Sequence, residues 1–199
     1  HCHIVLSDIS EGMINDAQKL LADVGYDFEY QIIDAQSIPL QKNHFDLVIA
    51  NHILFFIPNI RQTLQEIKRV LKPEGKLYAT TASMEHLKEL EQIAVEFDAR
   101  LELYEKPTQC FNLENGKAIL EEYYTNVERY DYKDELVIPV VETLITYLRS
   151  VYKSKEFAFF QNKLPELRRF FQKKINLNQS ITITSYSGMF KAEKSGVRN

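Results

Sequence analysis

The sequence predicts an α/β domain built on a mostly parallel β-sheet. Short apolar runs alternate with amphipathic helices through the first half, three of these runs end in polar residues, and a β-branched and aromatic run follows a helical segment near the C-terminus. Repeated strand, helix and strand units make the strands parallel and cover both faces of the sheet with helices. The 199 residues, 45% hydrophobic and 26% charged, suffice for one domain, 1–199, with a substantial core.

The chain begins with a strand and a helix. The apolar run 4–6 predicts a buried strand that ends at Asp8. A helix follows, because apolar residues recur on one of its faces at helical spacing. That face consists of Met13, Ala17, Leu20 and Leu21. Residues 30–33 predict a second strand, which ends at Asp34.

A third strand and a capped helix come next. The strand covers residues 45–50 and ends at Asn51. Asn59 and Gln62 have the spacing of a capping box, so we expect a helix to begin after Asn59.

The segment 72–75, Lys-Pro-Glu-Gly, ends that helix. We expect Gly75 to adopt the left-handed conformation there, since glycine has no Cβ to obstruct it. Residues 76–81 then form a fourth strand.

Helices predominate in the second half of the chain. Pro165 is expected to begin the second part of a long helical segment, because proline fits a first turn better than a helix interior. The predicted elements are helices over 87–97 and 120–124, strands over 127–132 and 181–190, and a helical insertion at about 134–179.

The polar residues at the strand ends are the candidate binding residues, because ligands of open parallel sheets bind beyond the carboxyl ends of the strands. Asp8 can accept two hydrogen bonds from ribose hydroxyls, and Asp34 can accept one from an adenine amino group. Asn51 and His52 follow the third strand, beside the expected reacting group. A cap or turn role for each aspartate, and simple packing of His52, stay open as alternatives.

Three stretches resemble the class I, Rossmann-like S-adenosylmethionine-dependent methyltransferases. LSDISEGMINDAQ is similar to the second-strand motif of this family, IIDAQSIPLQKNHFDLVIANHILFFIPN to the third- and fourth-strand motifs, and LQEIKRVLKPEGKLYATT to the helix, turn and fifth strand. The resemblance covers residues 4–81. From Phe111 onward it is topological, and the last two predicted strands fit the antiparallel pair that closes the family's sheet.

The resemblance implies S-adenosylmethionine as the cofactor and adds residues to its site. It places Asp8 on the ribose, with Ile9 and Met13 against the adenine. It also implies that Asp34 and the backbone N–H of Ala35 hold the adenine edge, and that Asn51 lies near the methionine part of the cofactor.

Two features of the family are replaced and one is absent. Phe56 stands where a histidine is common, and Glu74-Gly75 replaces a double glycine. No glycine-rich loop precedes Asp8, so the first strand of the family's sheet is missing from this chain and we expect the native protein to be longer. In the family that strand lies between the strands predicted at 4–6 and 47–50.

The composition of the chain limits the classes of partner that it is expected to bind. A formal net charge of -4 gives no general attraction to phosphate backbones, which favours a small-molecule acceptor, although Arg168-Arg169 and Lys173-Lys174 leave nucleic acid open. Cys2 and Cys110 lack the paired spacing of a metal or redox motif, so we expect no metal and reduced thiols in the cytoplasm. No apolar run is long enough to cross a membrane. The oligomeric state is not indicated.

Three functions are compatible with these sequence features. Methyl transfer is a displacement that depends mainly on positioning, and the sequence identifies no catalytic residue for it. Tyr147, Arg149 and Tyr152 are candidates for covering an acceptor pocket, with ordinary packing as the alternative. A nicotinamide-dependent oxidoreductase is a second function. A non-catalytic binding module, suggested by Phe56 and the aromatic run 157–160, is a third.

Overall fold

The computed structural model describes residues 2–99, 107–151 and 154–196. Tyr152, a predicted pocket residue, lies outside these ranges, and the side chains of residues 157–160 are likewise outside the described part. The described elements are β1 (Val5–Asp8), α1 (Glu11–Leu21), β2 (Glu29–Ile32), β3 (Phe45–Asn51), α2 (Ile60–Val70), β4 (Leu71–Ala82), α3 (Lys88–Phe97), α4 (Gly116–Glu121), β5 (Thr125–Ile138), α5 (Val141–Val151), α6 (Ser154–Asn178) and β6 (Ile181–Glu193).

The strands form two sheets. In the first, β1 pairs with β2 in parallel, with Asp8 opposite Ile32. The second has the order β3-β4-β6-β5, and β3 pairs with β4 in parallel, with Asn51 opposite Thr80. The predicted α/β fold with parallel strands in its first half is confirmed.

The C-terminal strand β6 runs antiparallel to its neighbours. Its pairing with β4 joins Lys194 to Gly75 and Tyr186 to Ser83, so residue numbers fall along one strand as they rise along the other. Between β5 and β6, the side chain of Thr125 donates to the carbonyl of Glu193 and Gly188 lies against the carbonyl oxygen of Tyr130, so these strands are antiparallel as well. The antiparallel pair implied by the family resemblance is therefore present.

Within the described residues, β1 and β3 each have one hydrogen-bonded neighbour, β2 and β4 respectively. On β3, Leu47 and Ile49 are 44% and 58% exposed. Described elements cover these side chains only partly.

Contacts divide the chain into two compact units. The first contains His1–Thr81, Asn115–Arg129 and Met189–Asn199, and the second contains Ala82–Glu114 and Tyr130–Gly188. The single-domain organisation stays a prediction. The proposed helical insertion at about 134–179 begins too early, because residues 134–138 continue β5.

In the first unit, α2 provides most of the buried helix face. Asn59 accepts a hydrogen bond from the backbone N–H of Gln62, as the capping box predicted. Leu64 and Ile67 are buried, and the hydroxyl of Tyr124 donates to the carbonyl of Leu64 at 2.9 Å. Burial raises the pKa of Tyr124, so the phenol stays protonated as a donor.

The buried face of α1 differs from the predicted one. Ile14 is its buried residue, whereas Met13 and Leu20 are exposed. The helix packs against β1 and β2, and the described elements cover a narrower stripe of its surface than the periodicity suggested.

The second unit has its own hydrophobic core. α5 buries one face in it, and α6 continues through Pro165 instead of beginning a helical piece there. Leu164 and Leu167, on either side of the proline, pack against the same core, so tertiary contacts offset the local cost of proline. The buried members of this core are Leu90, Ala94, Val141, Leu144, Ile145, Leu148, Leu167, Phe171, Ile175, Ile181 and Ile183.

The turn between α2 and the main part of β4 contains a strained backbone conformation, and the strained residue is not the one predicted. Glu74, with φ 64°, is left-handed, and Gly75 is not. Gly75 is needed for space instead, because a Cβ there would lie 2.8 Å from the carbonyl oxygen of Lys72. The prediction for Gly75 is wrong because the backbone of the strand approaches the preceding turn so closely.

We expect Glu74→Gly to stabilise the protein by about 1 kcal/mol relative to Glu74→Ala, since both variants remove the side chain and only glycine relieves the left-handed strain. Chemical denaturation followed by circular dichroism measures the difference. Equal free energies of unfolding for the two variants would show that the turn carries no strain.

Candidate cofactor site

The carboxyl ends of β1 and β2 bring two of the predicted binding residues to one edge. Asp8 is the last residue of β1, and its carbonyl accepts a hydrogen bond from the N–H of Ile33 at 3.0 Å. Asp34 follows Ile33 directly. Parallel pairing of adjacent strands thus places both carboxylates at the same end of the sheet.

The carboxylate of Asp8 has a local partner. Its Oδ1 accepts a hydrogen bond from the N–H of Ser10 at 2.8 Å, and the Ser10 hydroxyl in turn caps α1 by accepting from the N–H of Met13 at 3.4 Å. The turn role left open by the sequence is therefore real. A carboxylate has about four acceptor positions, so one backbone hydrogen bond leaves capacity for two ligand hydroxyls.

Apolar side chains stand next to Asp8. Ile9 and Met13, at the start of α1, are 68% and 58% exposed. Met13 was predicted both on the buried helix face and beside the adenine, and its exposure is compatible only with the second placement. Two exposed apolar side chains beside an acid can supply contact surface to a flat, uncharged ring.

The second acid, Asp34, is held by the residues that follow it. Its Oδ1 accepts from the N–H of Gln36 at 2.8 Å and from the Gln36 side-chain amide at 3.3 Å. The carbonyl of Asp34 accepts from the N–H of Ser37 at 2.9 Å. Asp34 and Ala35 are both half-buried, so the turn after β2 presents this acid in a fixed position.

Gln36 connects this turn to the beginning of α2, and no sequence pattern indicated it. Its side-chain oxygen accepts from the N–H of Asn59 at 3.2 Å, and its carbonyl accepts from the side chain of Gln62 at 2.7 Å. Asn59 and Gln62 were predicted as a local capping pair, and they also hold a residue more than twenty positions away in the chain. No local pattern could have indicated this contact.

An ion pair on α2 holds residues 38–40, which follow the Asp34 turn in the chain. The guanidinium of Arg69 donates to the carbonyls of Ile38 and Leu40, and Glu66 accepts from the N–H of Ile38 at 3.0 Å. The hydrogen bond from Arg69 holds the pKa of the Glu66 carboxyl below its ordinary value. Glu66 therefore stays charged, and the chain from Asp34 to Leu40 is tied to one helix.

Asn51 and His52 lie at the carboxyl end of β3, in the second sheet. The hydroxyl of Thr80, on β4, contacts both residues: it accepts from the N–H of His52 at 3.0 Å and lies 3.4 Å from the Asn51 side-chain oxygen. His52 has a φ of 50°, so the chain turns sharply there, and both side chains are exposed. Thr80 is a second residue that the sequence did not indicate.

The structure thus groups Asp8, Ile9, Met13, Asp34 and Ala35 at the end of the first sheet and Asn51 with His52 at the end of β3. Among the described residues, no hydrogen bond joins the two groups. The described residues contain no cluster of three or more histidine, cysteine, aspartate or glutamate side chains suited to a metal ion. No helix in the described ranges is long and apolar enough to cross a membrane.

Comparison with known proteins gives the family context. Residues 1–79 match the profile of a methyltransferase domain. The ubiquinone/menaquinone biosynthesis C-methyltransferase UbiE of Blochmanniella pennsylvanica is 37% identical over 92 residues, which is 45% of this chain and 36% of that enzyme. The chain therefore spans about a third of the length of that relative.

Solved structures resemble the chain over nearly all of its length. A candidate methyltransferase from Bacillus halodurans C-125 has a TM-score of 0.65 at 19% identity, covering 98% of this chain and 84% of that one. The N-methyltransferase NodS from Bradyrhizobium japonicum WM9, solved with S-adenosylhomocysteine, has a TM-score of 0.53 at 13% identity, covering 96% and 66%. The chain is similar in sequence over residues 1–79, and in fold over its described residues, to the Rossmann-like S-adenosylmethionine-dependent methyltransferases, and the resemblance predicted from the sequence is confirmed.

Proposed function

We propose that the protein transfers a methyl group from S-adenosylmethionine to a small-molecule acceptor. The observation that carries this proposal is the placement of Asp8 and Asp34 at the carboxyl ends of adjacent parallel strands, in the part of the chain that matches a methyltransferase domain. Two carboxylates at that edge suit a nucleoside, which offers two ribose hydroxyls and an exocyclic amine as donors.

Each residue of the site has a defined role in this proposal. Asp8 accepts from the ribose hydroxyls, while its hydrogen bond to Ser10 keeps the carboxylate oriented. Asp34 accepts from the adenine amino group, and the N–H of Ala35 donates to the ring. Ile9 and Met13 contact the adenine face. The bound cofactor supplies the activated methyl group.

Asn51 and His52 border the methionine part of the cofactor in this assignment. The Thr80 hydroxyl accepts from the backbone N–H of His52 and lies beside the Asn51 side-chain oxygen, which holds the backbone at His52 and limits the directions that the Asn51 side chain can take. A displacement reaction needs the donor and the acceptor held in line, and polar groups at a rigid strand end serve that purpose. No residue is assigned as an acid or a base.

A small molecule fits the charge of the chain better than nucleic acid does. Within the basic stretch of α6, Arg168 pairs with Glu142 at 2.9 Å and Lys174 with Glu96 at 2.7 Å. Two of its cations are therefore already neutralised by the protein. The relative UbiE acts in ubiquinone and menaquinone biosynthesis, which also favours a small organic acceptor. Both cysteines are free thiols, compatible with the proposed cytoplasmic location.

The test is equilibrium binding of S-adenosylhomocysteine and of NADH to the full-length protein, measured by calorimetry. We expect binding of S-adenosylhomocysteine and none of NADH. A preference for NADH would instead establish the oxidoreductase alternative. Binding of neither ligand would establish the non-catalytic module. Incubation with methyl-labelled cofactor and a cell extract then shows whether the label enters the small-molecule or the macromolecular fraction.

A further inference from the structure

Gln36 contacts both oxygens of the Asp34 carboxylate. Its backbone N–H donates to Oδ1 at 2.8 Å, and its side-chain nitrogen Nε2 lies 3.3 Å from Oδ1 and 3.4 Å from Oδ2. The backbone contact alone would hold one oxygen and leave the plane of the carboxylate free to turn about it. The second contact, from the side chain, therefore fixes the plane of this acid as well as its position.

The side-chain amide of Gln36 can face Asp34 in one orientation only. Its oxygen Oε1 accepts from the backbone N–H of Asn59 at 3.2 Å. A backbone N–H only donates and an ionised carboxylate only accepts, so the amide oxygen faces Asn59 and the amide nitrogen faces Asp34. The reversed amide would set donor against donor at one end and acceptor against acceptor at the other. The start of α2 thus orients the side chain that orients the acid.

The carboxylate of Asp34 keeps one oxygen largely for a ligand. Among the described residues, its Oδ1 accepts from two donors of Gln36, whereas Oδ2 has a single, longer contact with Nε2. Each carboxylate oxygen offers about two acceptor positions, so Oδ2 has the greater remaining capacity. Both residues are half-buried, and an acceptor that a ligand covers without supplying a donor costs binding free energy.

We propose that Gln36 is a positioning residue that makes the cofactor site selective for a purine carrying an amino group at C6. The inference rests on the proposed function, in which Asp34 accepts from the adenine amine. A carboxylate that is already fixed in one plane loses less conformational freedom when that donor binds. A purine without the amine leaves the ordered carboxylate without its donor, so the same arrangement disfavours that ligand.

A simpler role for Gln36 would be to tie the turn after β2 to α2. Its carbonyl does so, because it accepts from the side chain of Gln62 at 2.7 Å. In the part of the chain that the structure describes, Gln62 makes no hydrogen bond with Asp34, whereas the Gln36 side chain contacts that acid directly. The two glutamines therefore separate attachment of the turn from orientation of the acid.

Calorimetry with the full-length protein and two ligands tests this inference. The ligands are S-adenosylhomocysteine and its 6-deamino analogue, in which a hydrogen atom replaces the exocyclic amine. We expect the parent protein to prefer S-adenosylhomocysteine by about tenfold or more, the contribution of a hydrogen bond to a charged acceptor. In Gln36→Met this preference should fall by about three- to tenfold, because the carboxylate must then be ordered on binding.

A second variant and a matched control accompany Gln36→Met. Gln36→Asn keeps an amide but is one methylene shorter, so it cannot contact Asn59 and Asp34 together, and the same fall in preference is expected. The control is Gln62→Met, which makes the same chemical change and detaches the turn from α2 but keeps the contacts between Gln36 and Asp34. Its preference for S-adenosylhomocysteine should equal that of the parent protein.

The outcomes separate this inference from the proposed function. An unchanged preference in Gln36→Met, or in Gln36→Asn should Gln36→Met fail to fold, overturns the inference and leaves the proposed function standing. So does an equal fall in Gln62→Met, which would leave Gln36 only the role of holding the turn. A parent protein that binds both ligands equally well removes Asp34 from the amine, and the role of Gln36 with it. A parent protein that binds neither ligand overturns the proposed function itself.

Discussion

Replacing Asp8 by asparagine is expected to lower the affinity of the full-length protein for S-adenosylhomocysteine by about ten- to a hundredfold, the effect of losing hydrogen bonds to a charged acceptor. The asparagine oxygen can still accept from the N–H of Ser10, so the turn before α1 is kept. The substitution removes only the second acceptor oxygen of the side chain and its negative charge. Calorimetric titration of the variant and the parent protein measures the change.

The control for this prediction is Asp23→Asn, which makes the same chemical change at an exposed acid beyond the other end of α1. Its affinity and its melting temperature should match those of the parent. The melting temperature of Asp8→Asn without ligand should also be nearly unchanged, which separates a loss of binding from a loss of folding. An Asp8→Asn protein that binds as tightly as the parent would remove Asp8 from the site and leave it only its turn role.

The largest expected effect on stability is that of Phe171→Ala, which should lower the free energy of unfolding by about 3–5 kcal/mol. Phe171 is fully buried among the helices of the second unit, with Leu144, Leu167 and Ile175 in the same core. Removing the ring loses its burial and leaves a cavity that rigid neighbours fill only in part. Urea denaturation followed by circular dichroism measures the loss.

Phe56→Ala is the matched control, because it removes the same ring from an exposed position. Its unfolding free energy should change by less than about 0.5 kcal/mol, as is usual for surface substitutions. Similar losses in the two variants would show that Phe171 does not anchor the core of its unit. If Phe56→Ala lowered the free energy of unfolding much more than Phe171→Ala did, then Phe56 and not Phe171 would be the buried residue.

Local sequence signals predicted the elements well and the contacts between them poorly. The capping pair Asn59 and Gln62 indicated the start of α2 to the residue, because a cap depends only on its own turn. The ends of β1 at Asp8 and of β3 at Asn51 could also be predicted, because an apolar run stops at each of them. Gln36 carried no such signal, because its partners lie on a helix distant in sequence.

Errors occurred where packing overrode a local preference. Pro165 was expected to begin a helix, yet core contacts on both sides keep α6 continuous. Glu74 adopts the conformation expected of Gly75, because the glycine is required for the close backbone approach. The helical face of α1 was misplaced by one position, to Met13 instead of Ile14, since periodicity gives a stripe but not its centre.

Gly188, on β6, limits how the sequence of this chain can vary. A Cβ at this position would overlap the carbonyl oxygen of Tyr130 and lie 2.9 Å from a methyl group of Leu113. Any side chain must therefore separate β5 from β6 and also displace Leu113. Relatives that carry a larger residue at the equivalent position must have a wider strand spacing there, so this single position distinguishes homologues that share the local sheet geometry from those that share only the strand order.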